Sequence, residues 1–467
     1  MNFRTKGIAR RAGRELSWLS RGSCVLAIII TLSSSTLAQS GGANSVSSPP
    51  AARSSATVAA STNAAQLRQE TLDVVWRTVN ETHYDPTFGG VDWDKVRAKY
   101  APRVAAAKSD GEFYGLLRQM VEELRLSHFV IYPPGAFDRA DANSAAGSGD
   151  VGIDVRVIEG QAIVVRVRPQ SAAGRNGVIR PGFIISKIDD TPVAPLLEKL
   201  MRSGDSSQPK TFYTTAAVMR RLNGTPGSTV RLTYIDEQER ERTVTLQRAA
   251  HTGEMSPPFG NFPSLPVEFE VKRLQGGVGY IRFNIFLVPL MEQIRAGVRE
   301  MRDVPGLIFD LRGNPGGFGA MAPGIAGLLT TKEVSLGTMR MRTGHVNLVA
   351  FPQSAPYTGT VVILIDGLSL STSEIFASGM QEAGRAVVIG ERSGGAALPS
   401  VFKKLPTGAL LQHAIADFKT PKGTEIEGRG ATPDIEVKWN RRALLEGRDA
   451  QLDAALEQIT KGKGRTQ

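Results

Sequence analysis

Residues 361–390, VVILIDGLSLSTSEIFASGMQEAGRAVVIG, read as an apolar strand, a sharp serine-rich turn, a helix and a second apolar strand. Upstream, from about residue 266, GVGYIRFNIF and GLIFDLRG are further strands and PLMEQIRAGVREM is a helix. Strands alternating with helices predict an α/β domain with a mixed or parallel sheet over 266–460. The turn carries Ser369, Ser371 and Ser373. A hydroxyl there stands beside helix N–H groups, whose fixed dipoles stabilise a developing oxyanion. Ser371-Thr372-Ser373-Glu374 equally fits a capping box, in which Ser371 bonds the backbone and Glu374 reaches back.

A second stretch, GLIFDLRGNPGGFGAM, puts Asp310, Arg312, Asn314, Gly316 and Gly317 directly after an apolar strand. A glycine pair lets backbone N–H groups approach a substrate closely, which is what an oxyanion hole requires. Asp310 and Arg312 are expected to fix this loop rather than to react.

The rest of the chain divides by composition. Of the formal charge of +11, five units come from the first 22 residues, where Arg4, Lys6, Arg10, Arg11, Arg14 and Arg21 are offset by Glu15. The remainder is spread without a dense basic run, which argues against a nucleic-acid partner. The basic segment precedes CVLAIIITLSSSTLAQS, so residues 1–38 read as a secretory signal cleaved after Ala38. That removes Cys24, the only cysteine, and touches the membrane only in transit. In a Gram-negative cell the destination is the periplasm.

Residues 39–66 lack a large apolar set and read as a disordered linker. Over 67–135, apolar residues recur at helical spacing (Leu72, Val75, Trp76, Val79; Phe113, Leu116, Leu117, Met120, Val121, Leu124), a small helical unit ended by YPPGAF. Residues 148–249 alternate apolar and polar between glycine turns, a β-rich module closed by a hairpin over STVRLTYIDEQERERTVTLQ. The five histidines are scattered, no metal-binding or phosphate-loop pattern occurs, and no cofactor is expected.

Within the β-rich module, PQSAAGRNGVIRPGFIISKIDD resembles the signature run of PDZ domains, with Phe183 and Asp190 departing from it. That resemblance implies that Val151, Gly152 and Ile153 form a loop holding a peptide's terminal carboxylate, while an exposed strand edge pairs with the peptide. The glycine loop, the serine turn, the PDZ-like module and the terminal FKTPKGTEIEGRGATPDIEV together resemble the C-terminal processing (tail-specific) serine proteases. The resemblance implies a crotonase-like α/β core, Ser371 as nucleophile, and an oxyanion hole from the amides of Gly316 or Gly317 and of Thr372.

Typical members of that family use a lysine as base, and here the matching position is Ala396, in GERSGGAALPSVFKKLPTG. Lys403 and Lys404 follow in text that fits a strand. The related tricorn-core proteases lack the lysine and use a Ser-His-Ser-Glu tetrad. Their pattern maps onto Ser127-His128, in EELRLSHFVIYPP, and onto Glu427, in EGRGATPD. The resemblance implies His128 as general base, oriented by Ser127 and Glu427. Read by itself, Ser127-His128 also suits a turn at the end of a helix, where histidine meets free carbonyls. The expected function is an exported serine endopeptidase that cleaves polypeptides near their free C-termini. The alternative is a catalytically inactive PDZ-containing scaffold, which the missing lysine favours.

Overall fold

The computed structural model describes residues 50–136, 149–202, 210–250, 253–258 and 264–463 of the 467. The expected signal segment and the start of the linker lie outside the described residues, as does His251. Part of the expected linker is not one: a helix runs from Pro50 to Thr82, so regular structure begins well before residue 67. Short side chains such as alanine and serine supply no apolar stripe, but the alanines of this stretch favour a helix intrinsically.

The central sheet has six strands in the order Phe269–Arg273, Gly279–Phe283, Gly306–Asp310, Thr360–Ile365, Val387–Gly390 and Ile435–Glu436. The first pair is antiparallel and the others parallel, a mixed sheet. The continuous apolar runs of its middle strands have two buried faces to fill. Leu307, Phe309, Val361 and Ile363 pack towards the helices Leu290–Glu300 and Thr372–Glu382. Ile308, Val362 and Leu364 pack on the opposite side against Ala455 and Ile459 of the helix Ala450–Lys463. Each large side chain fully removed from water here stabilises the fold by about 1.5–3 kcal/mol.

The module over 149–249 is an antiparallel sheet in the order Ile153–Ile158, Gln161–Val167, Ile184–Ile188, Thr229–Ile235 and Glu241–Gln247. Its last two strands form the expected hairpin. The module's ends meet where Asp150 N–H donates to the Ala249 carbonyl at 2.9 Å. Ile153–Ile158 is an edge strand, packed beside the helix Lys210–Leu222 through Val218 and Leu222.

The early helices Trp93–Ala105 and Asp110–Glu122 share one apolar core with the first helix and with Leu398, Leu405, Ala409, Leu411 and Ala414 from the far end of the chain. A short sheet joins the same regions: Val130–Tyr132 pairs antiparallel with Leu410–Ala414, which pairs with Ser400–Lys404. The helical unit is therefore built into the core. Just before that junction, Ser127 is hydrogen-bonded to Glu427.

Candidate active site

The strands Gly306–Asp310 and Thr360–Ile365 are parallel neighbours, with Phe309 opposite Ile363 and Asp310 opposite Leu364. The glycine loop and the serine turn leave their carboxyl ends side by side, where α/β sheets place their sites. Asp310 anchors the first loop. It is fully buried and accepts from Arg312, from Tyr280 Oη at 2.7 Å and from Arg282 at 3.1 Å. Burial alone would raise its pKa, but the Arg312 and Arg282 guanidiniums hold it well below the usual carboxylate range.

The three serines of the turn separate cleanly. Ser369 Oγ donates to the Leu311 carbonyl at 2.8 Å and accepts from Asp366 N, and Ser373 Oγ donates to the Asn314 carbonyl at 2.9 Å. Both side chains are fully buried in these structural roles. Ser371 is half-buried and sits at φ 52°, ψ −117°, in left-handed backbone that a non-glycine residue adopts at a cost of about 1–3 kcal/mol. Its N–H donates to the Ala396 carbonyl at 2.8 Å and to Glu374 Oε2 at 2.9 Å. The reach-back of the capping box is thus present, and it coexists with a strained, accessible serine.

Gly316 lies directly against this turn. A Cβ there would meet the Leu370 carbonyl oxygen and Ser371 Cβ, each at 2.7 Å, and its φ is +91°. Its own N–H is committed to Asn314 Oδ1 at 2.9 Å. The Gly317 and Thr372 amides differ: among the described residues neither has a hydrogen-bond partner. The two are tied together, since Thr372 Oγ1 donates to the Gly317 carbonyl at 2.9 Å. Of the two glycines, Gly317 is the one with an amide free to donate.

The Glu427, Ser127 and His128 side chains come together across 300 positions of sequence. Glu427 Oε1 accepts from Ser127 N at 2.8 Å, and Oε2 accepts from Ser127 Oγ at 2.9 Å and from Ala397 N at 2.9 Å. Ser127 Oγ lies 2.7 Å from His128 Nδ1. An ionised carboxylate only accepts, so the single hydroxyl hydrogen goes to Glu427 and Ser127 Oγ must accept from Nδ1–H. Nε2 is then the nitrogen with the free lone pair. Burial raises the Glu427 carboxyl, opposed by its three donors, and lowers His128 to about 4, which keeps the imidazole neutral. His128 also has positive φ, 61°. Among the described residues no hydrogen bond joins His128 to Ser371. The two are linked through one dipeptide: the Ala396 carbonyl holds Ser371 and the Ala397 amide holds Glu427.

Residues 277–437 match peptidase family S41, and residues 64–122 match the tricorn protease C1 domain. The chain carries a peptidase family S41 domain and is a serine-type peptidase. A carboxyl-terminal-processing protease of Picosynechococcus is 26% identical over 402 residues, covering 84% of this peptidase and 89% of that protein. Tricorn protease homolog 1 of Streptomyces coelicolor is 26% identical over 411 residues, covering 84% of this peptidase but 35% of that much longer protein. The solved photosystem II D1 C-terminal processing protease shares the fold, with a TM-score of 0.54 and 22% identity over 82% of this chain and 98% of that one.

The edge-strand module of this peptidase touches the serine turn. Arg156, from the strand Ile153–Ile158, donates to Asp366 Oδ2 at 2.7 Å, and Asp366 Oδ1 accepts from Gly313 N and Leu368 N. Burial pushes the Asp366 carboxyl up, but the Arg156 charge outweighs it and leaves the pKa below the ordinary value. Thr211, at the start of the helix Lys210–Leu222, packs on Gly367. The sequence signal for this contact is Arg156, set between Val155 and Val157 in the strand. The segment implied to bind a carboxylate is tightly built: the Val151 carbonyl accepts from Ala173 N, the Gly152 carbonyl from Arg168 N, and Ile153 begins the edge strand opposite Val167. Gly152, at φ +81°, has no room for a Cβ beside Ser171.

Lys403 and Lys404 lie on the strand Ser400–Lys404, as their neighbours predict. Among the described residues no group of three or more His, Cys, Asp or Glu side chains is placed to hold a metal ion. Sequence reasoning missed Phe286, whose N–H donates to the Gly316 carbonyl at 2.8 Å while its carbonyl accepts from Phe318 N at 2.7 Å. It holds the glycine loop at both Gly316 and Phe318.

Proposed function

We propose that the chain is an exported endopeptidase that cleaves polypeptides near their C-termini, with Ser371 as nucleophile and His128 as general base. The observation that carries this reading is the hydrogen-bonded series Glu427–Ser127–His128, which leaves Nε2 unprotonated in a chain with alanine at the family's lysine position. Ser371 Oγ attacks the scissile carbonyl carbon as its proton passes to His128 Nε2. The carbonyl oxygen gains charge and is met by the Gly317 and Thr372 amides. When the C–N bond breaks, the proton on Nε2 goes to the leaving amine, and a water repeats the sequence to hydrolyse the acyl-enzyme. Catalytic hydrogen bonds tighten as substrate binds, so the Ser371–His128 contact belongs to the substrate complex.

The Ile153–Ile158 edge and the Val151–Gly152–Ile153 segment would receive the substrate's terminal residues by strand addition. The relatives named as carboxyl-terminal-processing proteases support this choice of end. Export rests on the signal-like residues 1–38; no helix among the described residues is long and apolar enough to cross a membrane.

The test is hydrolysis of an unstructured protein by the purified chain. Ser371→Ala and His128→Ala abolish it, and Lys403→Ala leaves it intact. Undiminished cleavage by Ser371→Ala sinks the assignment. No cleavage by the unaltered chain, with retained binding of peptides bearing a free C-terminus, points to the scaffold instead.

A further inference from the structure

Glu374 is the third residue of the helix that follows Ser371, and a capping box asks of it only the Ser371 amide. The structure asks more. The side chain is fully buried and both oxygens accept twice: Oε1 from Ser393 Oγ at 2.5 Å and Gly395 N at 2.7 Å, Oε2 from Ser371 N at 2.9 Å and Ala396 N at 3.0 Å. Three of these donors lie 19 to 22 positions further along the chain. All four are neutral. A buried carboxylate without a cation is costly unless every lone pair is satisfied, so this arrangement is kept against its desolvation.

Its position explains what it holds. The Ala396 backbone is held on both sides of its Cα, its N–H by Glu374 and its carbonyl by Ser371 N. The next amide, Ala397 N, goes to Glu427, which also takes the Ser127 hydroxyl. One dipeptide therefore carries the nucleophile on one side and the imidazole series on the other. Glu374 fixes both that dipeptide and the strained Ser371 backbone.

We propose that Glu374 is the positioning residue that sets the register between the Ser371 hydroxyl and His128, by clamping Ser371 and the Ala396–Ala397 dipeptide to one carboxylate. This rests on the reading of Ser371 as nucleophile and His128 as base. Without the carboxylate, the Gly395 and Ala396 amides lose their acceptor, the Ser371 amide keeps only the Ala396 carbonyl, and the strained serine is free to relax. A misplacement on the order of 1 Å costs about 100-fold in rate. Glu374 does not reach the substrate, so the loss falls on kcat and leaves KM alone.

The experiment compares the full chain with its Glu374→Gln, Glu374→Asp, Glu374→Ala and Ser371→Ala variants. It reads the rate of labelling by a fluorophosphonate probe and the kcat and KM for an unstructured protein, each normalised to the folded fraction. Glu374→Gln keeps the shape but turns one acceptor oxygen into a donor facing amides. It is expected to label and turn over about 100-fold more slowly, with KM within about twofold. Glu374→Asp keeps the charge one methylene short and is expected to recover part of the loss shown by Glu374→Ala. Should the Gln and Ala variants not fold, the Asp variant carries the test. Wild-type rates per folded molecule in Glu374→Gln or, failing that, in Glu374→Asp overturn the proposal, as does a loss confined to KM. Ser371→Ala separates the two readings: continued labelling and cleavage there sink the nucleophile assignment, whereas a silent Ser371→Ala beside normal Glu374 variants sinks only the positioning role.

Discussion

The two halves of the site are built in opposite ways. The serine turn and the glycine loop lie within about sixty residues of each other, leave adjacent strands, and interlock through Asn314: its carbonyl accepts from Leu370 N and Ser373 Oγ while its Oδ1 accepts from Gly316 N. The imidazole half is assembled from the early helical unit, the 393–397 loop and Glu427, held by a few hydrogen bonds across long stretches of chain. The first half is set by local geometry and a shared core. The second depends on the docking of one region against another, so the two should fail differently when disturbed.

The largest effect is expected in the local half. Gly316→Ala drives a methyl into Ser371 Cβ and demands positive φ of alanine. By displacing Ser371 and the neighbouring Gly317 amide it should cost about 100-fold or more in kcat, and lower the thermal midpoint as well. Next comes the imidazole half: Glu427→Gln keeps the shape but cannot accept all three donors, and should cost about 100-fold in kcat with little change in the midpoint, because it disturbs orientation more than packing. Equal effects of the two substitutions on the melt would break the distinction.

The contact between the edge-strand module and the serine turn tests packing rather than chemistry. Arg156→Ala strands Asp366 in a buried site, and breaking such a pair costs about 3–5 kcal/mol, read by denaturant unfolding. A loss below about 1 kcal/mol would show that the pair is not the buried contact described.

Acidification probes both halves at once. Burial raises the Glu374 carboxyl to about 7, against the pull of its four donors, so it is neutralised first as pH falls and its clamp weakens. Burial lowers His128 to about 4, so its lone pair is lost only further down. Activity should therefore fall in two steps with decreasing pH, and Glu374→Gln should erase the upper one. A single step near 6.5, the ordinary imidazole value, contradicts the arrangement. Least of all should Lys403→Ala matter, since that side chain stands on a strand edge; unchanged kcat is expected.

How much was legible in the sequence follows the same division. The parallel strands, the serine turn and the glycine loop could be read from apolar runs and glycine spacing because the forces that form them act between near neighbours. Asp310 and Arg312 fix the loop as their motif suggests. That Gly316's amide is spent on Asn314 could not be read, since both glycines satisfy the same backbone requirement. The Ser127–His128–Glu427 grouping came from resemblance alone: nothing local in SHF or EIEGRG says that they meet. Arg156, Phe286 and the reach of Glu374 to residues 393–396 were missed because each is a contact between separate elements. The helix from Pro50 was missed because alanine-rich text without an apolar stripe resembles a linker.

The most direct measurement is a crystal structure of the chain carrying a fluorophosphonate on Ser371. The account predicts the adduct's oxygen facing the Gly317 and Thr372 amides, with His128 Nε2 within about 3 Å of Ser371 Oγ. An imidazole beyond hydrogen-bond reach of Oγ, or another basic group in its place, would contradict it.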